Sequence, residues 1–254
     1  MTVMWADECD AGRGAVPRPD LWGTRETDRW QPAAELQRYT RDPRNAHYDG
    51  DGHLVLTALR TPEGFTSARL SARHGGLGST FRYGLFEARV KVPTGAGVWP
   101  AFWLLGPDDT HGWPECGEVD VMEAPASAAT AGQVHQGTHS PRAATPRDPA
   151  GGDAAVALGV TPVSGDWGAD FHTYAVIWSP GRMDFMIDGR PTGSVTAAGV
   201  AARGGRWVFD ERPLAPILNV AVGGWAGTPD GSWQRQSMLV DWVRVHDLPD
   251  PDGR

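Results

Sequence analysis

The sequence predicts an all-β fold, a sandwich of two packed sheets, on three observations. Its 254 residues include 33 Gly and 21 Pro, well above the average shares of a globular chain, and these punctuate it with turns. Between the turns lie short extended segments, several of them alternating polar with apolar residues. Stretches able to form an amphipathic helix longer than about two turns are few.

Nine segments read as strands. His53–Arg60 is an apolar run bounded by Gly52 and Pro62. In Arg82–Val92, Phe86, Ala88, Val90 and Val92 share one face while Glu87, Arg89 and Lys91 share the other, the pattern of a half-buried antiparallel strand. Val98–Leu105 sets Val98, Phe102 and Leu104 against Trp99 and Trp103. Gly117–Glu123 and Gln133–His139 follow, then Phe171–Trp178 and Arg182–Ile187. Asp188-Gly189, directly after that last run, is a hairpin signal. Pro216–Val222 and Ser237–His246 complete the set. Nine strands without long helices between them fit two packed sheets. Pro141–Asp170, rich in Ala, Gly, Pro and Asp, reads as one long irregular loop, and loops of that length are usually functional. No linker divides the chain, so 1–254 is expected to form one domain.

Composition excludes several partners. Net charge is −8, Lys91 is the sole lysine among 23 basic residues, and neither sign forms a block. Nucleic acid is therefore disfavoured, since phosphate binding needs a basic stripe. No run of 18 apolar residues is available to span a membrane as a helix. The opening Met1-Thr-Val-Met-Trp5 lacks the basic and apolar regions of a signal peptide. The expectation is an extracellular protein whose export signal lies outside this sequence, with an intracellular one as the alternative. Cys9 and Cys116 permit at most one disulfide.

The most informative segment is Trp113-Pro-Glu-Cys-Gly-Glu118-Val-Asp120-Val-Met-Glu123. Strict alternation puts Glu118 and Asp120 on one face and Glu123 on the other. A bulge at Val121-Met122 would add one residue and return Glu123 to the face of Glu118 and Asp120. Three carboxylates on one face repel one another unless protons, cations or substrate relieve them. Two carboxyls roughly 5–5.5 Å apart are the geometry of a retaining glycosidase, one as nucleophile and the other as acid then base. A third acid between them would hold the nucleophile and raise the acid's pKa. The same pattern also fits the solvated face of an edge strand, although the apolar neighbours and the flanking Trp-Pro favour a covered one.

Trp99 and Trp103 lie about 13 Å apart on one face of a strand, a spacing that suits successive sugar rings, because indole faces pack on pyranose C–H faces. Trp113 and Trp225, beside Gly or Pro, are further candidates to line a groove. His135 and His139 share a face by alternation. They lack a third ligand at a zinc-like spacing, so hydrogen bonding to carboxylates or sugar hydroxyls is the expectation. Asp241 shares a face with Leu239, Val243 and Val245 and needs a partner, either an arginine or a calcium ion.

Taken together these residues resemble glycoside hydrolase family 16, in its laminarinase-like branch of endo-β-1,3-glucanases. The resemblance runs nearly end to end: Trp5-Ala-Asp-Glu8, Glu35-Leu-Gln, Tyr39-Thr40, Thr66-Ser-Ala-Arg-Leu70, Phe86-Glu-Ala-Arg-Val-Lys-Val-Pro93 and Val98-Trp-Pro-Ala-Phe-Trp-Leu-Leu105. It continues through Trp113-Pro, Glu118-Val-Asp-Val-Met-Glu123, Phe171-His-Thr-Tyr-Ala-Val176, Ile217-Leu-Asn-Val-Ala-Val-Gly-Gly224 and Met238-Leu-Val-Asp-Trp-Val-Arg-Val245. It implies a β-jelly-roll sandwich of two curved antiparallel sheets with a concave substrate cleft. It also implies Glu118 as nucleophile, Asp120 as its assistant and Glu123 as general acid/base, in the bulged form of the motif. Sugar contacts are implied for Asn45, Trp99, Trp103, Trp113, His135, His139 and Trp225. No catalytic cofactor is implied, but a structural calcium is, at Glu8, the Gly52 carbonyl and Asp241. The implied partner is a β-glucan polysaccharide or oligosaccharide, bound by a monomer without nucleic acid or membrane.

The chain departs from the family pattern in places. Cys9 stands where Phe is usual, Leu85 where a basic residue is frequent, and Val-His-Gln-Gly-Thr-His-Ser-Pro replaces Val-His-Gly-Thr-Val-His-Gly-Pro. These departures bear on substrate preference. A β-galactan of agar, carrageenan or arabinogalactan type is the alternative substrate, and a non-catalytic glucan-binding module is the alternative class.

Overall fold

The computed structural model describes residues 1–26, 34–144 and 155–248. Its strands are β1 (Val3–Asp7), β2 (Gly23–Thr24), β3 (Gln37–Tyr39), β4 (Ala46–Tyr48), β5 (Leu54–Thr61), β6 (Gly64–Ser67) and β7 (Arg69–Ser71). Then come β8 (Gly84–Lys91), β9 (Val98–Leu105), the short helix α1 (Asp108–His111), β10 (Glu118–Glu123), β11 (Gln133–Pro141), β12 (Ala155–Gly159) and β13 (Val163–Ser164). The chain continues with β14 (His172–Ser179), β15 (Arg182–Ile187), β16 (Arg190–Thr196), α2 (Ala197–Ala202), β17 (Ala215–Val222) and β18 (Arg235–His246).

All nine segments read as strands from the sequence are strands. The Asp188-Gly189 hairpin joins β15 to β16 with φ of 50° and 71°, the left-handed pair that two-residue hairpins favour. Part of the expected loop is strand instead. β12 adds to the edge of β11 and β13 pairs with its start, because Val156 can be buried while its neighbours stay at the surface. Residues 145–154 of that segment lie outside those described.

One sheet has ten strands in the order β16-β15-β14-β8-β18-β5-β6-β3, with β1 on β18 and β4 on β5. The other has eight, ordered β12-β11-β10-β9-β17-β7-β2, with β13 on β11. Pairing is antiparallel except where β3 meets β6. The core lies between the sheets: Phe86, Tyr174, Trp178 and Phe185 from the first meet Phe102, Leu104, Val119 and Met122 from the second, all fully buried. Such a core holds the eight-stranded sheet rigid, so that its outer face can carry a precise array of side chains.

Candidate active site

β10 lies between β9 and β11 in the eight-stranded sheet. Gly117 introduces it with φ +76°, and a Cβ there would press on Val208 and Phe209 at 3.0–3.1 Å, so the entry to the acid strand requires glycine. The register shows the bulge. Asp120 pairs with Trp103 while Met122 pairs with Phe102, leaving Val121 as the extra residue. Val119, Val121 and Met122 are buried in the core, and Glu118, Asp120 and Glu123 occupy the opposite side.

Each end of the acid row is held by an indole. Trp113 Nε1 donates to Glu118 Oε2 at 3.0 Å, and Trp99 Nε1 donates to Glu123 Oε1 at 3.0 Å. Asp120, only 4% exposed, has His139 Nε2 at 3.4 Å from its Oδ2.

Burial is the largest influence on all three carboxyls and raises each. For Glu118 the positive charges of His139 and Arg69 and the hydrogen bonds of Trp113 and Asp120 pull partly back. For Asp120 the charges of Glu123 and Glu118 add to burial and lift it well above the carboxylate range, and its hydrogen bond to Glu118 raises it further. Glu123 is pushed to about 8 by burial and the charge of Glu118, with Trp99 working in the opposite direction. The surroundings of the two glutamates therefore differ: Glu123 is raised by burial and by the charge of Glu118, whereas the rise of Glu118 is opposed by His139, Arg69, Trp113 and Asp120.

The aromatic side chains surround this row. Trp225 is 43% exposed and Trp113 47%. Trp99 meets Trp225 edge to face at 5.7 Å, and His135 meets Trp225 at 4.6 Å. Burial lowers the pKa of His135, and its buried Nε2 has no partner among the described residues. Trp103 donates to Asn219 Oδ1 at 2.7 Å, and Asn219 in turn takes the Tyr39 hydroxyl as acceptor at 3.1 Å. The Arg69 guanidinium lies 4.6 Å above the Trp103 ring. Arg69, Asn219 and Tyr39 escaped the sequence reading. Asn219 left a signal, as a polar residue inside the wholly buried run Ala215–Val222.

Asn45 does not join them. It is buried, accepts from Thr40 Oγ1 at 2.7 Å, and donates both amide hydrogens, to Thr57 O at 2.9 Å and Thr66 Oγ1 at 3.2 Å. Its amide ties strands of the ten-stranded sheet together instead of opening to a ligand.

Two of the residues expected at a calcium ion are paired with arginines. Glu8 takes a bidentate pair from Arg244 at 2.9 and 2.7 Å, and Asp241 is paired with Arg89. Gly52 lies in the bend before β5. Of the two partners the sequence left open for Asp241, arginine is present. Among the described residues the group with metal-ligand proximity is Glu118, Asp120 and His139, whose ligand atoms lie within 4.8 Å of one another. His135 stands apart from it.

The family model for glycosyl hydrolases family 16 matches residues 36–244. This chain belongs to glycosyl hydrolases family 16. Within the family it is 33% identical to a β-glucanase of Rhodothermus marinus over 96% of this chain and 84% of that protein. The laminarinase structure from the same organism superposes with a TM-score of 0.80 at 31% identity, covering 97% of each chain. A mutant of SCLam, described as a non-specific endo-β-1,3(4)-glucanase and holding 1,3-β-D-cellobiosyl-glucose at its active site, superposes with a TM-score of 0.81 at 28% identity, over 97% of this chain and 95% of that one. The fold is thus the jelly roll of the family 16 laminarinases. Both cysteines of this family 16 chain are free and buried, so no disulfide contributes to it.

Proposed function

We propose that this chain is an endo-acting retaining hydrolase of β-1,3-glucosidic bonds in laminarin-type or mixed-linkage β-glucans. The observation that carries the reading is Glu123, raised to about 8 on the same strand face as Glu118 and between aromatic side chains. A carboxyl still protonated at neutral pH can donate to a leaving oxygen, while its ionised neighbour attacks.

In the first step a carboxylate oxygen of Glu118 attacks the anomeric carbon. The glycosidic C–O bond breaks, and the departing oxygen takes the proton of Glu123. A covalent glycosyl-enzyme results. Asp120 donates its hydrogen bond to Glu118 and stabilises the carboxylate that leaves again in the second step. Glu123, now a base, removes a proton from water as that water attacks the same carbon from the side the first leaving group occupied. The configuration is retained and Glu123 regains its proton. No metal takes part in either step.

Trp99, Trp103, Trp113 and Trp225 present indole surfaces to the sugar chain, and His135 and His139 offer ring nitrogens to hydroxyls. Residues 1–254 act as one catalytic domain and as a monomer. A polysaccharide too large to enter a cell favours an extracellular place of action. A β-galactan carrying sulfate has one observation on its side, the arginine over Trp103, and a product profile across a polysaccharide panel separates the two substrates. The decisive measurement is release of reducing ends from laminarin by the wild type beside Glu118→Gln. Release by the first and not by the second supports the reading, and equal behaviour sinks it.

A further inference from the structure

Two bulges, one in each sheet, meet at Gln136. The ladder between β10 and β11 runs Glu118↔His139, Val119↔Thr138, Asp120↔Gly137 and then passes to Glu123↔His135, so Val121 and Met122 oppose Gln136 alone. In the ten-stranded sheet, Phe185↔Gly193 is followed by Met186↔Pro191, which leaves Thr192 without a ladder partner. Bulges leave backbone groups outside the ladder, and inside a sandwich those groups have no water to turn to.

Gln136 is 3% exposed and its amide lies between the sheets. Nε2 donates to Val121 O at 2.8 Å and, more weakly, to Met186 O at 3.4 Å. Oε1 accepts from Thr192 Oγ1 at 2.6 Å. The Val121 carbonyl fixes which end of the amide faces β10, because an amide turned over would set oxygen against it, and the Thr192 hydroxyl then serves as donor to Oε1. One side chain thus serves the extra residue of each bulge.

We propose that Gln136 is a positioning residue for Glu123, an inference that rests on the catalytic reading above. By holding the Val121 carbonyl it holds the peptide that adds one residue between Asp120 and Glu123. Without the added residue the strand alternates regularly, and a shift of one position sends a side chain to the opposite face of the sheet. Glu123 would then point into the sandwich, away from Glu118.

Gln136→Leu keeps the volume and removes the hydrogen bonds. Thr192→Val removes only the hydroxyl and is the second variant should the first fail to fold. Each is assayed well below its own melting temperature on laminarin and on an aryl β-glucoside oligosaccharide whose phenolate leaves without protonation. For Gln136→Leu the expected result is a fall in kcat on laminarin of about 10- to 100-fold, the scale of a catalytic group misplaced by about 1 Å. KM stays within about twofold, and the glycosylation step on the aryl substrate is largely spared because it needs no acid. Thr192→Val shows the same pattern more weakly. Equal losses on both substrates, or activity matching the wild type in the variants that fold, would overturn the positioning role. Glu123→Ala in the same assays tests the underlying reading: if it keeps wild-type activity on laminarin, the assignment of Glu123 fails, whereas its loss beside unaffected Gln136→Leu and Thr192→Val refutes only the role of Gln136.

Discussion

Trp99 Nε1 and Glu123 Oε1 are 3.0 Å apart, so the ring proposed to carry a sugar also touches the proposed acid. Its hydrogen bond favours the ionised form of Glu123 against burial and the charge of Glu118. Trp99→Phe removes the donor. The alkaline limb of kcat/KM, which follows the acid of the free enzyme, is expected to move to higher pH, with KM rising as the indole surface is lost. A limb that stays in place while KM rises would separate the ring from the proton.

Glu123 also gives stability a pH dependence. Its pKa rises from the ordinary 4.5 to about 8 on folding, so the folded chain binds the proton more tightly than the unfolded one. Stability from this group is complete below 4.5 and is lost as pH rises through about 8. Glu123→Gln carries no charge to bury. The melting-temperature advantage of this variant over wild type should therefore grow from acid pH to pH 8 and then level off. Parallel melting curves across that range would refute the shift.

Asp120 is raised well above its ordinary value by burial and by the charges of Glu123 and Glu118, and the proposed mechanism uses it as a hydrogen-bond donor to Glu118. Asp120→Asn keeps an N–H donor and is expected to lower kcat/KM by about tenfold, whereas Asp120→Leu lowers it by about 10²–10³, the range for losing a hydrogen bond to developing charge. Equal losses in the two variants would show that Asp120 must ionise.

Glu8 is paired with Arg244 and Asp241 with Arg89, which leaves an added cation less charge to neutralise. A bound ion stabilises by mass action and makes melting depend on its concentration. EDTA and added calcium are therefore expected to leave the melting temperature unchanged within about 1 °C. A calcium-dependent rise would restore the ion and displace the arginines.

The strand framework was legible because alternation and turn residues are local signals. Phe86, Ala88 and Val90 announced a buried face, and Asp188-Gly189 announced a hairpin. The bulge was legible as one of two readings, since an extra position at Val121-Met122 brings all three acids to one face. Asn45 and Asp241 were harder. Their partners Thr66 and Arg89 come from strands distant in sequence or adjacent only in space, and no local pattern says which neighbour a side chain will meet. Gln136 was visible as a departure from the family segment, but its role depends on Thr192, 56 residues away in the other sheet.

The two indole hydrogen bonds at the ends of the acid row constrain how this enzyme can diverge. Trp113 and Trp99 each bring an edge to an acid, at 3.0 Å in both cases, and both are proposed platforms for the polymer. Selection for a new polysaccharide at either ring would retune a proton equilibrium at the same time. Trp225 and His135, whose Nε2 has no partner among the described residues, make no hydrogen bond to the acids there, so substitutions at these two positions are expected to change substrate preference with less effect on the pH profile.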